Sequence, residues 1–349
     1  MKRAIIYGVG RTGKLVFSKA SEAKIEILAF IDNNVTGKFN NIPILSVNEI
    51  PSEISREIPI ILALHHDVHT AAKEMKKNGF DNLITLSGFN IHLRKSGFSG
   101  IEIIPLADPD LLSRDTAAIK ELQSILSDSR SQEIFQHYLN YLENGSLDML
   151  EQHEPGIMYY TDNRPFEFRG KVTMADCGAF IGDSIIPLIG KIDFREIYAF
   201  EPDPVLAKEL HENLRKHADF PFQIIQAGVG KHDEQLFFQP GGMGGKITET
   251  GDLKIDIISL DSIFGNTQID FIKMDIEGAE ESALLGAKEV IKRDTPLLEI
   301  CVYHRWGDFW NLPLLIKQLH PGYAIYFRCN DDSFHDTVCC AVPERYLKK

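Results

Sequence analysis

The amino-acid sequence predicts an α/β protein in which two sheet-forming regions flank a helical stretch. Short β-branched runs alternate with amphipathic runs over about the first 90 residues, and the same alternation resumes near residue 170. Between about 107 and 152, apolar residues recur at spacings of three and four, which is typical of helices. Because strands that alternate with helices favour a parallel sheet, we expect a Rossmann-like nucleotide-binding-type domain at 1–90, a helical connector at 91–155 and a second α/β domain at 156–349.

The N-terminal region and the connector supply the first set of elements. Strands are predicted at RAIIYGV, KIEILAFIDN, IPIILALHH and DNLITLS, and helices at TGKLVFSKASE and HTAAKEMKKNGF. The second of these helices is expected to end at Gly79, since glycine is favoured just after a last helical turn. In the connector, DPDLLSRDTAAIKELQSILSD and SRSQEIFQHYLNYLENGSLDML predict two or three helices, and Asp108 before Pro109 suits a helix start.

The C-terminal region repeats the alternation and then departs from it. Strands are predicted at KVTMADCG, REIYAFEP, PFQIIQAGVG, EQLFFQP, DFIKMDIEG and PLLEICVYH. Helices are predicted at GDSIIPLIGK, DPVLAKELHENLRKHA, AEESALLGAKEVIKRD and LPLLIKQLH, the first short or kinked because it contains Pro187. No helix separates YAIYFRCN from DTVCCAVP, so the chain is expected to close with an antiparallel hairpin, whereas a dehydrogenase sheet would end on a parallel strand.

Composition narrows the classes of function. A chain of 349 residues favours two or more domains, and 44% apolar with 25% charged residues is ordinary for a globular protein. No apolar run approaches the roughly 20 residues of a membrane-spanning helix, so we expect no membrane span. The net charge of −13 disfavours a nucleic-acid partner, because binding the phosphate backbone requires a basic surface.

Cysteine and histidine patterns argue against a metal. The five cysteines are odd in number and form no C-x-x-C pair, so neither a zinc site nor a disulfide framework is indicated, and a reducing cytoplasm fits best. His65, His66 and His69 follow a predicted strand, but the further ligands that a metal would need are not evident, which favours a polar loop.

The first glycine turn has the spacing of a dinucleotide-binding fingerprint. The sequence GVGRTG lies between a predicted strand and a predicted helix, and Asp32 follows Gly13 by 19 residues. Glycines allow a phosphate to approach the helix N-terminus, and Asp32 would accept hydrogen bonds from a ribose. The alternative is a structural turn, because about 90 residues is small for two mononucleotide-binding halves. The candidate nucleotide-site residues are Gly8, Gly10, Arg11, Gly13 and Asp32.

The segment AFIDNN…GKFNNIPILSVNEI carries a family resemblance for this region. Over roughly residues 3 to 90 the sequence resembles the N-terminal nucleotide-binding domain of sugar acyltransferases and polysaccharide-biosynthesis proteins. The resemblance implies either a nucleotide or nucleotide-sugar ligand or a domain that serves only as a scaffold.

The second glycine turn, DCGAFIGD at 176–183, has a different chemistry. Its acidic residue, Asp176, precedes the glycines and would repel a pyrophosphate, whereas it would suit a cationic ligand such as S-adenosylmethionine. Gly178 and Gly182 would let the backbone pass close to that ligand, although an ordinary strand-to-helix turn has the same pattern.

A second carboxylate strengthens this interpretation. Glu201 ends the next predicted strand 19 residues after Gly182, where it can accept hydrogen bonds from both hydroxyls of an adenosyl ribose, and Pro202 would stiffen the turn that follows. The sequence QAGVGKHDE offers no evident acidic partner for the adenine amine. The candidate cofactor-binding residues are Asp176, Gly178, Ala179, Gly182, Asp183, Glu201, Pro202, Ala227 and Asp275.

Three residues are candidates for the base of a transfer reaction. Asp275 and Glu277 follow the predicted strand FIKM, with Lys273 on the same side if the strand stays extended. A helix start with acidic residues at Glu277 and Glu280 explains this motif equally well. His304 follows LLEICVY and titrates near neutrality in principle, although it also fits a loop histidine that packs on Trp306.

The motifs of the C-terminal half occur in the order found in one enzyme family. DCGAFIGDS, YAFEPDP, DFIKMDIEGAEESALLGA and YFRCN…VCCAVP resemble the FkbM-type methyltransferase family from about residue 172 to 343. The resemblance implies a seven-stranded Rossmann-like methyltransferase sheet with an antiparallel last strand, S-adenosylmethionine as methyl donor, and hydroxyl groups of sugars or secondary metabolites as acceptors. By position, Asp176, Gly178 and Gly182 would line the methionine moiety, and Asp275 would lie beside the transferred methyl.

The leading hypothesis is therefore a cytoplasmic S-adenosylmethionine-dependent O-methyltransferase that acts on a glycan precursor or related metabolite. Two alternatives stay open: an NAD(P)-dependent oxidoreductase that uses GVGRTG, and a non-catalytic nucleotide-binding protein of polysaccharide biosynthesis. The intact set of Asp176, Glu201 and Asp275 argues against the second. The sequence leaves the acceptor and any homo-oligomer undetermined.

Overall fold

The computed structural model describes most of the chain. The described residues are 1–64, 67–101, 109–145, 164–241, 245–248, 250, 253–329, 334 and 336–348. They form two compact units, each made of several chain segments. The first unit comprises Met1–Ala117, Glu133–Pro155 and Cys329–Asp336, and the second comprises Ala118–Gln132, Gly156–Arg328 and Thr337–Lys349.

The first unit is built around a six-stranded sheet. Its strands are β1 (Arg3–Tyr7), β2 (Glu26–Ile31), β3 (Gly37–Phe39), β4 (Ile42–Leu45), β5 (Ile60–Leu62) and β6 (Leu83–Ile84). Its helices are α1 (Arg11–Glu22), α2 (Val68–Lys77) and α3 (Leu86–Lys95). The strand order is β3-β4-β2-β1-β5-β6, and all neighbours are parallel except β3 and β4. The predicted parallel sheet is confirmed, and the β3–β4 hairpin is an addition that the sequence did not indicate.

The described part of the predicted connector contains the end of α3 and three further helices: α4 (Pro109–Arg114), α5 (Thr116–Ile125) and α6 (Ser129–Asn144). The N-terminus of α6 is capped by Asp128, whose carboxylate accepts a hydrogen bond of 2.8 Å from the Ser131 N–H. The division between the two units falls within α5 and within α6. The domain boundaries at 90 and 155 stay predictions, and Asp108, His65 and His66 lie outside the described residues.

The second unit contains the larger sheet. Its strands are β7 (Val172–Cys177), β8 (Phe194–Phe200), β9 (Phe222–Ile225), β10 (Gly228–Val229), β11 (Glu234–Gln239), β12 (Lys246–Thr248), β13 (Leu253–Ile258), β14 (Phe271–Met274), β15 (Leu297–Cys301), β16 (Ala324–Cys329) and β17 (Thr337–Val342). Its helices are α7 (Pro204–His217), α8 (Leu260–Phe264), α9 (Glu280–Leu285), α10 (Lys288–Asp294) and α11 (Asp308–Leu319).

The order of the seven-stranded sheet is β16-β17-β15-β14-β7-β8-β9. The five strands from β15 to β9 pair in parallel, and β17 pairs with β15 in the antiparallel sense. The predicted seven-stranded sheet with a reversed last strand is therefore confirmed. Every residue of β7, β14 and β15 is buried, as expected for central parallel strands that are covered on both faces.

A separate four-stranded sheet has the order β10-β13-β11-β12, with β11 antiparallel to both β12 and β13. Its own core is small and consists of Phe238, Ile255 and Ile257 with two partly buried leucines. The strand EQLFFQP is confirmed as β11, but the sequence did not indicate the sheet to which it belongs.

Four predicted elements are wrong in extent, the first being the strand PFQIIQAGVG, which is divided into β9 and β10 in different sheets. The segment GDSIIPLIGK forms only a 3-10 turn at Ile186–Leu188, because Pro187 lacks the N–H that a longer helix would need. The strand DFIKMDIEG ends at Met274 and gives way to a turn. The helix AEESALLGAKEVIKRD is divided into α9 and α10 at Gly286, where a Cβ would lie 2.0 Å from the Gly230 carbonyl oxygen. None of the helices in the described ranges combines the length and apolar character needed to span a membrane.

The turn between β1 and α1 generates a test of packing in the first unit. A Cβ on Gly13 would lie 1.9 Å from the Gly8 carbonyl oxygen, whereas a Cβ on Gly10 would meet no atom within 4 Å. We expect Gly13→Ala to lower the free energy of unfolding of this unit by about 1–3 kcal/mol, because backbone would have to shift. Gly10→Ala is the matched control, and in urea denaturation of the full chain it should lower the free energy of unfolding clearly less than Gly13→Ala does. Equal losses in the two variants would contradict the packing argument.

Candidate functional site

The sheet brings the acidic motifs of the C-terminal half to one edge. Asp176 lies near the end of β7, Glu201 directly follows β8, and Asp275 directly follows β14. These strands are neighbours in parallel register, with Lys273 opposite Asp176 and Cys177 opposite Phe200. Because ligands bind outside the carboxyl ends of strands in open parallel sheets, this edge is the candidate site.

A buried ion pair lies beneath the site. Lys273 Nζ is 3.1 Å from Asp176 Oδ1 and donates a hydrogen bond of 2.9 Å to the Gly178 carbonyl oxygen. Ser184 Oγ donates to Asp176 Oδ2 at 2.5 Å. Burial alone would lower the pKa of Lys273, but the nearby carboxylates, Asp176 foremost, outweigh it and raise that pKa. Lys273 therefore stays charged, and one side chain holds two strands and the glycine turn together.

The carboxylate of Asp176 is completely buried within this pair. Its charge is balanced by Lys273, so that it supports the turn from below rather than opening toward the edge of the sheet. The predicted contact between Asp176 and a cationic ligand stays a prediction. Asp183, at the far end of the motif, is half-buried.

The turn at Gly178 requires glycine for two reasons. Its φ of +80° lies in the left-handed region, and a Cβ would lie 1.9 Å from the Asp275 carbonyl oxygen. The N–H groups of Gly178 and Ala179 both donate to the Phe200 carbonyl oxygen at 3.0 Å. Gly182 also has a positive φ, of +93°, and a Cβ there would lie 3.2 Å from Leu210. The motif thus forms a close-packed backbone loop across the ends of β7, β8 and β14.

Glu201 is held against this loop by backbone donors. Its Oε2 accepts a hydrogen bond of 3.0 Å from the Phe180 N–H, and its Oε1 accepts one of 2.9 Å from the Asp203 N–H. Burial raises the pKa of Glu201 to about 7, although these two hydrogen bonds work in the opposite direction. Each carboxylate oxygen keeps a further lone pair, so the group can still accept two hydrogen bonds from a ligand.

The neighbours of Glu201 give it a rigid frame. Pro202 is half-buried, and Asp203 caps α7 by accepting a hydrogen bond of 2.8 Å from the Val205 N–H. Ala227 is buried just beyond β9, and its N–H donates to the Ile225 carbonyl oxygen at 2.8 Å.

A histidine between two carboxylates forms the second half of the site. His304 Nε2 lies 3.3 Å from Asp275 Oδ1, and His304 Nδ1 lies 2.8 Å from Glu280 Oε1. Burial alone would lower the pKa of His304. The hydrogen bond to Glu280 and its charge, and to a smaller extent the charges of Asp275 and Glu277, outweigh burial and raise that pKa to about 9. At neutral pH the ring is therefore an imidazolium that donates from both nitrogens.

The packing of the His304 ring differs from the alternative that the sequence left open. The ring lies against Tyr303, with 4.3 Å between the ring centroids, whereas the ring of Trp306 lies against Trp310 at 5.6 Å. His304 is thus placed by its two carboxylate partners and Tyr303, and it reaches the site edge.

The segment after β14 corrects one expectation. Lys273, Asp275 and Glu277 do not share one side of an extended strand, because the chain turns at Glu277, with a φ of +55°, and Gly278, with a φ of +93°. Lys273 points into the protein, Asp275 is partly open, and Glu277 is exposed. Positive φ at a residue other than glycine carries a strain cost, which here is stored beside the candidate base.

Two residues that the sequence did not indicate as site residues complete the cluster. Glu280 is 1% exposed and accepts a hydrogen bond of 2.9 Å from the Ile276 N–H, so it also fixes the turn after Asp275. Asp308 accepts a hydrogen bond of 2.8 Å from the Arg305 N–H, and burial raises the pKa of Asp308 to about 7. Both residues begin helices, which is the ordinary position for an acidic residue, and the sequence contains no further signal of their role.

Asp275, Glu280 and His304 are also the one group of described residues whose ligand atoms lie close enough together, within 4.8 Å, to share a cation. Each ring nitrogen of His304 already faces a carboxylate, so neither nitrogen is open to a cation in this arrangement. The expected absence of a metal stays a prediction.

The N-terminal glycine turn has the backbone form that its sequence predicted. Gly8 has a φ of +96°, and Gly10 caps α1. Asp32 Oδ2 accepts from the Val9 N–H at 3.2 Å and Asp32 Oδ1 from the Asn34 N–H at 2.9 Å, while Arg11 is exposed. Both carboxylate oxygens of Asp32 thus accept hydrogen bonds from backbone N–H groups of the protein itself. These contacts lend no support to a bound nucleotide, which stays a prediction.

The sheet order, the glycine turn and the carboxylate after the second strand together define a methyltransferase-type α/β domain. Residues 176–336 match the family model described as a methyltransferase FkbM domain. This part of the chain is therefore an FkbM methyltransferase domain, the chain is a methyltransferase, and the resemblance of the C-terminal half is confirmed.

Three solved structures are similar to this chain, and the first of them extends the likeness of fold. The crystal structure of the methyltransferase FkbM from Methylobacillus flagellatus KT is similar at a TM-score of 0.79 and 24% identity, over 98% of this chain and 90% of that chain. A precorrin-6y C5,15-methyltransferase from Geobacter metallireducens GS-15 is 14% identical, with a TM-score of 0.34 over 52% of this chain and 84% of that one. An rRNA methylase from Streptococcus thermophilus is 10% identical, with a TM-score of 0.33 over 50% of this chain and 88% of that one.

The last two scores are too low to carry an argument about fold. No curated protein matches the sequence. None of the comparisons confirms the predicted resemblance of the N-terminal part to sugar acyltransferases.

The buried ion pair generates a test of what holds the site together. We expect Lys273→Met to lower the free energy of unfolding of the second unit by about 3–5 kcal/mol, because the buried Asp176 carboxyl group would lose its counter-charge. The double variant Asp176→Asn with Lys273→Met should lose markedly less free energy of unfolding than Lys273→Met alone. Lys288→Met, at an exposed position of α10, is the control in urea denaturation. A double variant as unstable as the single one would contradict the account.

Proposed function

We propose that the chain transfers a methyl group from S-adenosylmethionine to a hydroxyl group of a sugar, glycan precursor or related small metabolite. The observation that carries this proposal is the placement of Glu201 against the Gly178–Gly182 loop, with one strand, β7, between the strands that lead to Glu201 and to Asp275. A nucleoside ribose and a methionine chain need such a carboxylate and such a closely approachable backbone side by side.

The residues present suit this donor. Glu201 keeps one free lone pair on each oxygen, which matches the two hydroxyls of a ribose. Glycine at 178 and at 182 permits the positive φ of this loop, which lies at the edge of the sheet where ligands bind. When bound, S-adenosylmethionine supplies a methyl group on a sulfonium, whose sulfur leaves with the bonding electron pair as the acceptor oxygen takes the methyl.

The base for the acceptor hydroxyl is best assigned to Asp275. His304 is charged at neutral pH and donates from both nitrogens, so it has no lone pair for another proton. Glu277 is exposed on the strained turn, whereas Asp275 is partly open and anchored by its N–H to the Cys177 carbonyl oxygen at 3.0 Å. Asp275 would take the proton of the acceptor and hold the oxygen in line with the methyl, since alignment is the main contribution of an enzyme to such a displacement.

Ligands retained by the purified chain provide the direct test of this function. Mass spectrometry of the denatured protein should detect S-adenosylmethionine or S-adenosylhomocysteine. Radiolabelled S-adenosylmethionine with a panel of monosaccharides and nucleotide-sugars should then reveal the acceptor. Retention of NAD(P) without binding of S-adenosylmethionine would contradict the proposal and favour an oxidoreductase, and binding of a nucleotide without turnover would favour a non-catalytic protein.

The ribose contact predicts a loss of affinity. We expect Glu201→Ala to weaken binding of S-adenosylmethionine by about 1–3 kcal/mol, because charged hydrogen bonds are removed. Titration calorimetry measures the change, and Glu209→Ala, at an exposed position of α7, is the control. Unchanged affinity in Glu201→Ala would argue against the ribose role.

The pKa of Glu201 predicts a dependence of binding on pH. Because that pKa is raised to about 7, the carboxylate is mostly protonated at pH 6 and mostly ionised at pH 8. If the ionised form accepts both ribose hydroxyls, the affinity for S-adenosylmethionine should rise about tenfold over this interval. Glu201→Gln should remove the pH dependence of affinity that comes from Glu201. The pH dependence that comes from the ionisable groups of S-adenosylmethionine itself should remain. Identical pH profiles for the two proteins would show that Glu201 does not titrate on binding.

The raised pKa of Glu201 affects the stability of the ligand-free fold in the opposite direction, because that stability decreases as the pH rises. A carboxyl group whose pKa is higher in the folded state contributes stability at low pH and loses it as the pH rises through about 7. Bound S-adenosylmethionine should therefore stabilise the second unit more at pH 8 than at pH 6.

A further inference from the structure

Glu280 is the most buried member of the cluster beside Asp275. It is 1% exposed, yet the start of a helix is a position at which an acidic side chain ordinarily reaches solvent. A single oxygen, Oε1, accepts from the Ile276 N–H at 2.9 Å and faces His304 Nδ1 at 2.8 Å. Among the described residues, the other oxygen, Oε2, has no hydrogen-bond partner. Burial of a carboxylate in this state costs free energy, which a purely structural helix start would avoid.

The three side chains form a compact cluster whose members differ in how close they come to the edge of the sheet. The exposed fraction of the side chain rises from 1% at Glu280 to 8% at His304 and 19% at Asp275. His304 contacts one carboxylate with each ring nitrogen, so that the ring cannot rotate without breaking both contacts. The orientation of Asp275 therefore depends on a residue that does not itself reach the open edge.

We propose that Glu280 is a positioning residue for methyl transfer, which holds the His304 ring with Nε2 directed at Asp275 and so orients Asp275 to take the proton of the acceptor. The inference rests on the proposed function. In the step itself, the O–H proton passes to the Asp275 carboxylate, the new C–O bond forms as the S–C bond breaks, and the sulfur keeps the electron pair. Atoms and charge balance without a further reactant.

The charged groups around His304 give this arrangement a signature in pH. Asp275, Glu277 and Glu280 face the ring from the turn and α9, and Asp308 faces it from the start of α11, with the Arg305 N–H bonded to Asp308. With a pKa near 9, the ring keeps its charge through neutrality, and the ion pairs that it makes are lost as the pH rises through about 9. If Asp275 is the base and requires the charged ring, the rate should fall above pH 9. If His304 were the base, the rate should instead rise up to pH 9.

Glu280→Gln removes the charge and retains the shape of the side chain. Glu281→Gln is the matched control, because it makes the same change one residue further along α9 at an exposed position. Imidazole resonances of ¹⁵N-histidine-labelled full-length protein, assigned with His304→Gln, report the titration of His304 directly. We expect its midpoint to fall by more than one pH unit in Glu280→Gln and to stay unchanged in Glu281→Gln. The same midpoint in wild type and Glu280→Gln would overturn the proposal.

Turnover provides the second readout. With the acceptor that gives the highest rate in the panel above, the alkaline decline of kcat should move to lower pH in Glu280→Gln, while the Kd for S-adenosylmethionine stays within about twofold of wild type. Glu280→Asp keeps the charge on a shorter side chain, so the pH of its alkaline decline should lie between those of wild type and Glu280→Gln. It serves as the test variant if Glu280→Gln does not fold. An alkaline limb that does not move in these variants would overturn the positioning role.

The two proposals fail in different ways. A wild-type chain that neither binds S-adenosylmethionine nor transfers methyl would refute the proposed function, and the titration of His304 would still decide whether Glu280 controls the ring. A chain that transfers methyl with the same pH profile in wild type and Glu280→Gln would refute the positioning role alone.

Discussion

The ion pair between Asp176 and Lys273 is the constraint on which the rest of the site depends. It joins the two central strands of the seven-stranded sheet, and its lysine also binds the carbonyl oxygen of Gly178. A charged pair at this depth is retained only if both partners stay satisfied, because either one alone would be a buried uncompensated charge. The glycine turn, the loop against which Glu201 rests and the start of the Asp275 turn are all tied to this one contact.

Four carboxylates occupy this small region, and their surroundings give them different properties. Asp176 is neutralised by a lysine, Glu201 is held by two backbone N–H groups, Glu280 is buried against a histidine, and Asp275 alone is both partly open and paired with a charged ring. Such separation of environments is how one site can assign binding, positioning and proton transfer to chemically identical groups. The proposed methyl transfer uses each group for the task that its surroundings permit.

Much of this arrangement can be predicted from sequence, for physical reasons. Alternation of β-branched and amphipathic runs depends only on local pattern, so the central strands and the glycine turns follow from it. The carboxylates at the ends of β8 and β14 follow as well, because parallel strands end at a common edge. The methyltransferase family follows from the order of these motifs, and the comparison with the family model agrees with it.

What the sequence could not indicate depends on contacts between distant residues. The pairing of Lys273 with Asp176, and of Glu280 with His304, joins side chains that are far apart in sequence. Lys273 alone has the pattern of an exposed strand end, and Glu280 alone that of a helix start. Pro187 predicted a short or kinked helix after Gly182, but the local pattern did not show that only a 3-10 turn would form there.

The most direct test of the account is a crystal structure of the full chain with S-adenosylhomocysteine. We expect both ribose hydroxyls within hydrogen-bond distance of the Glu201 carboxylate, the homocysteine chain along the Gly178–Gly182 loop, and the sulfur on the side of Asp275. S-adenosylhomocysteine bound at the N-terminal GVGRTG turn instead, or a Glu201 side chain turned away from the ribose, would contradict the proposed methyl-donor site.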